Sequence, residues 1–287
     1  ASTFDEPILG SKAIKAYFDS KKGIPTGYTM SVDATASGLQ IMAALSGCKV
    51  TAKACNMTNT GNRQDIYGHI ADKMNAILKP VDYVTRKLVK KPVMTTFYNS
   101  EANPKETFNP LQLLAFHESL DDTLPGAIDV MKAINEFWDF DADVHMWTLP
   151  DGHVAKVPVT EMTNIRIEID ELNHRTFTYR YNKQQPSENF RSLVANIVHS
   201  VDGYVAREMV RRCHSMHIEL VHIHDCFVFS PDFLQTVRQT YREILAEIAN
   251  SDLLSNILTE ISGNYVPVTK LSTDLANDIL NSEYMLS

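Results

Sequence analysis

The sequence predicts an α+β fold, with short apolar strands alternating with amphipathic helices. Three segments carry that expectation. Residues 28–32 alternate as a strand does, and residues 37–45 follow with Leu39, Met42 and Leu45 at helical spacing. Residues 218–231 form two β-rich apolar halves around His224-Asp225, the pattern of a hairpin. A helix starting near residue 187 carries Leu193, Ile197, Val201 and Val205 on one inward stripe. At 287 residues and 44% hydrophobic, the chain can bury the core of one large domain or two.

Taken in order, the first strand delivers Asp33 to its C-terminal end, where open α/β sheets place their ligands. The plainer reading of Asp33 is a helix N-cap. Next comes a basic helix over 82–98. The chain has formal net charge -8, yet Arg86, Lys87, Lys90 and Lys91 fall close together, and Arg86 and Lys90 share a face able to grip one polyanion. Tyr98 lies about 120° off that face on a straight helix. Its aim therefore calls for a break, which Pro92 is placed to supply. A basic helical stretch by itself is most often a solvated face.

Loops are expected over 99–110, around Pro104, and over 181–187, around Pro186. Residues 143–181 alternate (Val154, Val157, Val159; Ile165, Ile167, Ile169) and predict a strand-rich insertion. Asp139, Asp141 and Asp143 lack the glycine and distal glutamate of a calcium loop and read as an acidic surface turn. His199 stands on an amphipathic helix, where a lone histidine is usually structural. Arg207, Arg211 and Arg212 follow at helical spacing and suit either a solvated face or nucleic-acid phosphates. Apolar flanks should leave Asp225 half sunk and in need of a cation. Asp33 and Asp225, from separate strands, can converge on divalent metal; hard oxygen ligands suit Mg²⁺. Two such ions, roughly 3.5–4 Å apart, would serve both the attacking and the leaving oxygen of a phosphoryl transfer.

Cys48, Cys55, Cys213 and Cys226 show no C-x-x-C spacing, which disfavours zinc and fits reduced thiols. No signal peptide, flexible linker, internal repeat or membrane-length apolar run is visible.

These segments together resemble the single-subunit DNA-directed RNA polymerases of bacteriophages and mitochondria. The stretch from Asp33 to Gln40 is similar to that family's first palm motif, D-x-x-x-S-G-[IL]-Q, and Arg86 to Tyr98 to its fingers motif, R-x-x-x-K-x-x-V-M-T-x-x-Y. His224-Asp225 matches the H-D of the second palm motif. Asn196 to Gly203 resembles the N-x-V-H-S-x-D-G helix, and Trp147 to Gly152 the W-x-x-P-x-G hairpin. Asp278 to Tyr284 looks like the tail that family members fold back toward the active site. Five motifs in the family's order are far more specific than any one of them.

The resemblance implies a right-hand polymerase palm, an antiparallel sheet with helices, carrying an inserted, largely helical fingers subdomain. Palm would cover 1–48 and 187–287, fingers 49–135, and a strand-rich insertion 136–186. Asp33 and Asp225, with the Ala34 carbonyl, would hold two Mg²⁺ ions. Arg86 and Lys90 would bind the NTP triphosphate, and Lys90 would protonate departing pyrophosphate. Tyr98 would stack near the nascent base pair, His199 would approach the sugar 2′-hydroxyl, and His224 would line the substrate site. DNA template, NTPs and RNA product are the implied ligands, in the cytoplasm of an infected bacterial host. The resemblance also leaves room for a single-stranded-DNA-binding accessory protein, and it implies no membrane.

Related DNA polymerases carry a Glu five residues after the first metal-binding Asp, which blocks a 2′-hydroxyl; here that position is Gly38. They also favour a carboxylate directly after the second-motif Asp, where Cys226 stands. Both departures favour ribonucleotides. Against the RNA-polymerase pattern, Asn99 replaces a Gly, and Asn tolerates left-handed backbone; Cys226 stands where Ser is common. Residues 1–32 alone precede Asp33, and no D-x-x-G-R element occurs. A second polymerase subunit is therefore expected to supply that element with the N-terminal and thumb parts. A DNA-synthesising or primase-like relative is the alternative enzyme. A catalytically inactive nucleic-acid-binding subunit is disfavoured by intact Asp33, Arg86, Lys90, Tyr98 and Asp225.

Overall fold

The structure, a computed structural model, describes residues 6–184 and 192–287. An antiparallel sheet of β1 (Met30–Asp33), β6 (Leu220–Ile223) and β7 (Cys226–Phe229) lies at its centre in the order β1-β7-β6. Phe227 and Phe229 of the middle strand are buried, and Val32 of β1 pairs with Phe227 on the same side. Side chains alternate along a strand, so burying Val32 turns Ser31 and Asp33 outward. The apolar flanks were expected to cover both hairpin strands. They cover only β7, because β6 is an edge strand and leaves Val221 and Ile223 about two-thirds exposed (66% and 67%). Asp225 is half-buried all the same.

Helices α2 (Ser37–Ser46), α9 (Ser192–Ser215), α10 (Leu234–Asn250) and α12 (Leu275–Leu280) pack into the core beside the sheet. Every residue of α2 from Leu39 on is buried, since α9, α10 and further helices enclose it. On α9 the inward stripe Leu193, Ile197, Val201 and Val205 is buried as its spacing predicts. The start expected near residue 187 lies outside the described residues.

A helical region follows α2: α3 (Lys49–Ala54), α4 (Ile66–Ile77), α5 (Arg86–Thr96), α6 (Ala102–Thr107), α7 (Pro110–Thr123) and α8 (Pro125–Asn135). Thr85 caps α5 by accepting from the Leu88 N–H at 3.3 Å. Pro92 does not break this helix. It lies on the buried face with Val89 and Val93, and that packing offsets the lost backbone bond. The chain turns only past Thr96, reaching φ 63° at Asn99, the left-handed backbone that asparagine tolerates. Asn99 is held there by a side-chain bond to Asn135 at 2.9 Å. The loop expected over 99–110 thus contains α6. Of the loop expected over 181–187, residues 181–184 belong to a strand and 185–187 lie outside the described residues.

Two hairpins stand between α8 and α9: β2 (Val144–Thr148) with β3 (Val154–Pro158), and the longer β4 (Thr160–Ile169) with β5 (Arg175–Gln184). The first is anchored: Trp147 is fully buried and donates its indole N–H to the Ser200 hydroxyl on α9 at 3.0 Å. The second exposes Ile165, Ile167, Phe177 and Tyr179 on one side. Residues 139–143 form the exposed acidic stretch ahead of β2, with only Ala142 half-buried. Helix α1 (Pro7–Lys21) buries none of its residues, and α11 (Leu253–Ser262) backs β2. Among the described residues, no helix is long and apolar enough to cross a membrane.

Candidate active-site cleft

A cleft of about 710 Å³ opens where the end of β1, the β6–β7 turn, α2, α5 and α9 meet. Every site residue expected from the sequence lines it. Asp33, Ala34 and Gly38 come from β1 and the start of α2, Arg86, Lys90 and Tyr98 from α5 and its exit, His199 from α9, and His224 and Asp225 from the turn.

Main-chain bonds fix the carboxylate end. Asp33 lies opposite Cys226, and the Ala34 N–H donates to the Asp225 carbonyl at 3.2 Å. On the other side the last residues of the sequence pair with the same segment. Ser287 N–H donates to the Asp33 carbonyl at 2.8 Å, and Thr35 N–H to the Met285 carbonyl at 3.0 Å. Arg238 and Arg242 on α10 hold these residues in turn, donating to the Leu286 and Ser282 carbonyls at 2.9 Å and 2.7 Å. Gln40, fully buried, donates to the Thr35 hydroxyl and to the Cys55 and Met285 carbonyls, and accepts from the Tyr241 hydroxyl at 2.8 Å. His224 takes φ 54° in a two-residue turn, a cost that closes the hairpin tightly beside Asp225.

Electrostatically this end is negative. Asp202, three residues past His199 on α9, reaches the cleft beside Asp225 and bonds to Ser37. Burial, reinforced by the Asp225 charge, raises its carboxyl to about 6. Among the described residues neither Asp33, Asp202 nor Asp225 has an ion-pair partner. Burial, then a hydrogen bond to the Asp33 carboxylate, pushes the Cys226 thiol up to about 11, so it remains a thiol.

In the middle, the Tyr98 and His199 rings meet at 4.6 Å between centroids. Burial, then His224, keeps His199 below the usual histidine range. Burial, then Asp202 and Asp225, raises the Tyr98 phenol, which stays neutral. A Cβ at Gly38 would lie 3.1 Å from the Tyr98 hydroxyl. The space that Gly38 leaves is therefore where the tyrosine points.

At the far end, Arg86 and Lys90 stand over the Tyr67 ring, 5.6 Å and 5.8 Å from its centroid. The Arg86 Nε–H donates to the Asp65 carboxylate. Burial is the largest single influence on Asp65 and opposes its charge, but the bond to Arg86, the Arg86 charge and backbone hydrogen bonds from Gly68 and Tyr67 together hold the carboxyl below its ordinary value. Arg207 pairs with Asp151, Arg211 with Glu208, and Arg212 with Glu208 and Glu247, so all three helix arginines are engaged by carboxylates. Glu168, Asp170 and His174 cluster, exposed, at the end of the β4–β5 ribbon, and none of them lines the cleft.

Sequence reasoning missed Asp65, Tyr67, Gln40 and Asp202. Gln40 and Asp202 carried a usable signal, each a fixed position of a motif quoted above, and Asp202 also by its three-residue spacing from His199 on one helix.

A family model described as DNA-dependent RNA polymerase matches residues 13–116 and 128–284. The chain is 22% identical over 266 residues to the DNA-directed RNA polymerase of Pseudomonas phage phiKMV, covering 76% of this chain and 32% of that protein. It is 21% identical over 285 residues to DNA-directed RNA polymerase 1, mitochondrial, of Arabidopsis thaliana, covering 83% and 28%. The chain thus spans about a third or less of the curated relatives it matches. A solved structure of the POL domain of Pol1 from M. smegmatis, in complex with DNA primer-template and dNTP, aligns at TM-score 0.48 and 16% identity over 80% of this chain and 38% of that one.

Proposed function

This chain belongs to the DNA-dependent RNA polymerase family, and from that premise we propose that its cleft is the nucleotidyl-transfer centre of DNA-directed RNA synthesis. The observation that carries this reading is the meeting, in one cleft, of Asp33, Asp202 and Asp225, which have no ion-pair partner among the described residues, with the Arg86 and Lys90 pair on one helix face. The reaction is in-line attack of an RNA 3′-oxygen on the α-phosphorus of an NTP. The bond to the bridging oxygen of the β-phosphate breaks, and pyrophosphate leaves.

Asp33 and Asp225, with the Ala34 carbonyl, are the assigned holders of two Mg²⁺ ions. The donor set fits such ions: it is all hard oxygen, Cys226 is kept as a thiol, and the Asp225 charge is felt at the half-buried Asp202 carboxyl beside it. Bound magnesium would supply charge neutralisation at the attacking and leaving oxygens. Arg86 and Lys90 take the triphosphate, and Lys90 gives a proton to the departing pyrophosphate. Tyr98, aimed at Gly38 and steadied by His199, reads the sugar. Even a Cβ at position 38 would press on the tyrosine hydroxyl at 3.1 Å, so the glycine leaves open space beside Tyr98, which supports ribonucleotides over deoxyribonucleotides.

In this reading residues 1–48 and 187–287 form the palm, 49–135 the fingers and 136–186 the insertion. In this reading a second polypeptide completes the enzyme. The test is to tag the chain in its source, purify it with whatever accompanies it, and assay Mg²⁺-dependent extension of an RNA primer on DNA. Extension with NTPs in preference to dNTPs, lost when the accompanying chain is removed, is expected. Preferential use of dNTPs would transfer the site to DNA synthesis.

A further inference from the structure

Arg86 already has an anion. Its Nε–H is bonded to Asp65, while its two terminal amino groups have no protein partner among the described residues. A guanidinium offers five N–H donors in a planar fork, so one edge can be tied down while the other four donors remain for a ligand. Three features fix the tie. Asp65 stands immediately before α4 and Arg86 opens α5, two helices that pack side by side, so the ion pair joins their adjacent starts. Tyr67 lies under both Arg86 and Lys90 and limits how far either cation can swing. Gly68 keeps room for the carboxylate: a Cβ there would come within 2.9 Å of the Asp65 Oδ2.

We propose that Asp65 is a positioning residue for nucleotide binding, holding the Arg86 guanidinium by its Nε edge so that its terminal amino groups meet the polyphosphate. The inference rests on Arg86 being a triphosphate ligand. Immobilising a long side chain before the ligand arrives removes an ordering cost from binding, and that saving corresponds to roughly a three- to tenfold gain in affinity. Asp65 acts through Arg86 in this reading, so its loss should act on capture of the nucleotide and leave the chemical step alone.

The experiment uses the complex purified from the native source. KM and kcat for NTP are measured in primer extension, and binding of magnesium pyrophosphate is measured by calorimetry. Asp65→Ala should raise KM roughly three- to tenfold and weaken pyrophosphate to a similar degree, with kcat within about twofold. Asp65→Asn keeps an acceptor oxygen and should restore most of the loss. Gly68→Ala should raise KM as well, although alanine favours the helix interior and should not lower the unfolding temperature. In an Arg86→Ala background, Asp65→Ala should add nothing further. Unchanged or lowered KM in Asp65→Ala, alongside a large rise in Arg86→Ala, overturns the positioning role. If Arg86→Ala itself leaves KM and pyrophosphate binding unchanged, the assignment of Arg86 to the triphosphate falls instead.

Discussion

The two ends of the cleft are built differently. The carboxylate end is gripped by main chain on both sides: the β6–β7 turn bonds to Ala34, and residues 285–287 bond to Asp33 and Thr35. The cation end hangs on side chains, with Arg86 held by one ion pair to Asp65, both about half in solvent. Backbone ladders change little with substitution, whereas an exposed ion pair contributes only about 0–1 kcal/mol and yields readily. The contrast teaches that main chain presets the carboxylate end, whereas side chains alone position the cation end. Substitutions at the first should therefore alter chemistry without altering the frame, and those at the second should tune affinity.

Asp225→Asn probes the preset end most severely. It removes a carboxylate but none of the turn's backbone bonds, so extension should fall by at least roughly a thousandfold, about 4 kcal/mol of barrier. Far-UV circular dichroism and the unfolding temperature should stay at or above the native values. Phe227→Ala attacks the frame that presets this end. Phe227 is buried next to Val32 and meets Tyr241 edge-on, at 6.1 Å between centroids, so about 3–5 kcal/mol should be lost in denaturant titration. A loss under about 1 kcal/mol would mean that the sheet does not set the carboxylates.

Asp202 sharpens the comparison through pH. Its carboxyl titrates near 6 when folded against an ordinary 3.8, so the folded state holds the proton more tightly than the unfolded. Stability should therefore decline as pH rises from about 4 to about 6, then level off, the full cost standing above pH 6. Asp202→Asn should erase that decline and stabilise the metal-free protein at neutral pH by about 1–3 kcal/mol. Identical pH profiles for the two proteins would show that Asp202 is solvated. The smallest effect is expected between the two ends. Tyr98→Phe removes the hydroxyl that points at Gly38, and the preference for NTP over dNTP should drop by roughly tenfold, about 1.4 kcal/mol. An unchanged ratio of kcat/KM values would remove the tyrosine from sugar selection.

Much of the preset end was legible in the sequence, because it depends on local pattern. A period-two strand ending at Asp33 and apolar halves flanking Asp225 place both residues with no knowledge of distant contacts. The exposed edge β6 was not legible, since strand order decides which apolar strand is covered. Residue spacing assigns the aim of Tyr98 to Pro92, whereas Asn99 makes the turn and buried packing carries the proline through. Gln40 bonds to Met285, and Arg86 pairs with Asp65 across two helices. Both links depend on how elements stack, which residue spacing does not report. Asp65 reads in sequence as an ordinary residue ahead of an amphipathic helix.

The most direct test of the account compares the native complex with its Asp33→Asn and Asp225→Asn forms. Each is assayed for RNA-primer extension on DNA with NTPs and Mg²⁺, and each is matched for assembly and folding. The account predicts robust extension by the native complex and none above background by either variant. Extension at the native rate by both variants would contradict it, placing the chemistry outside this cleft.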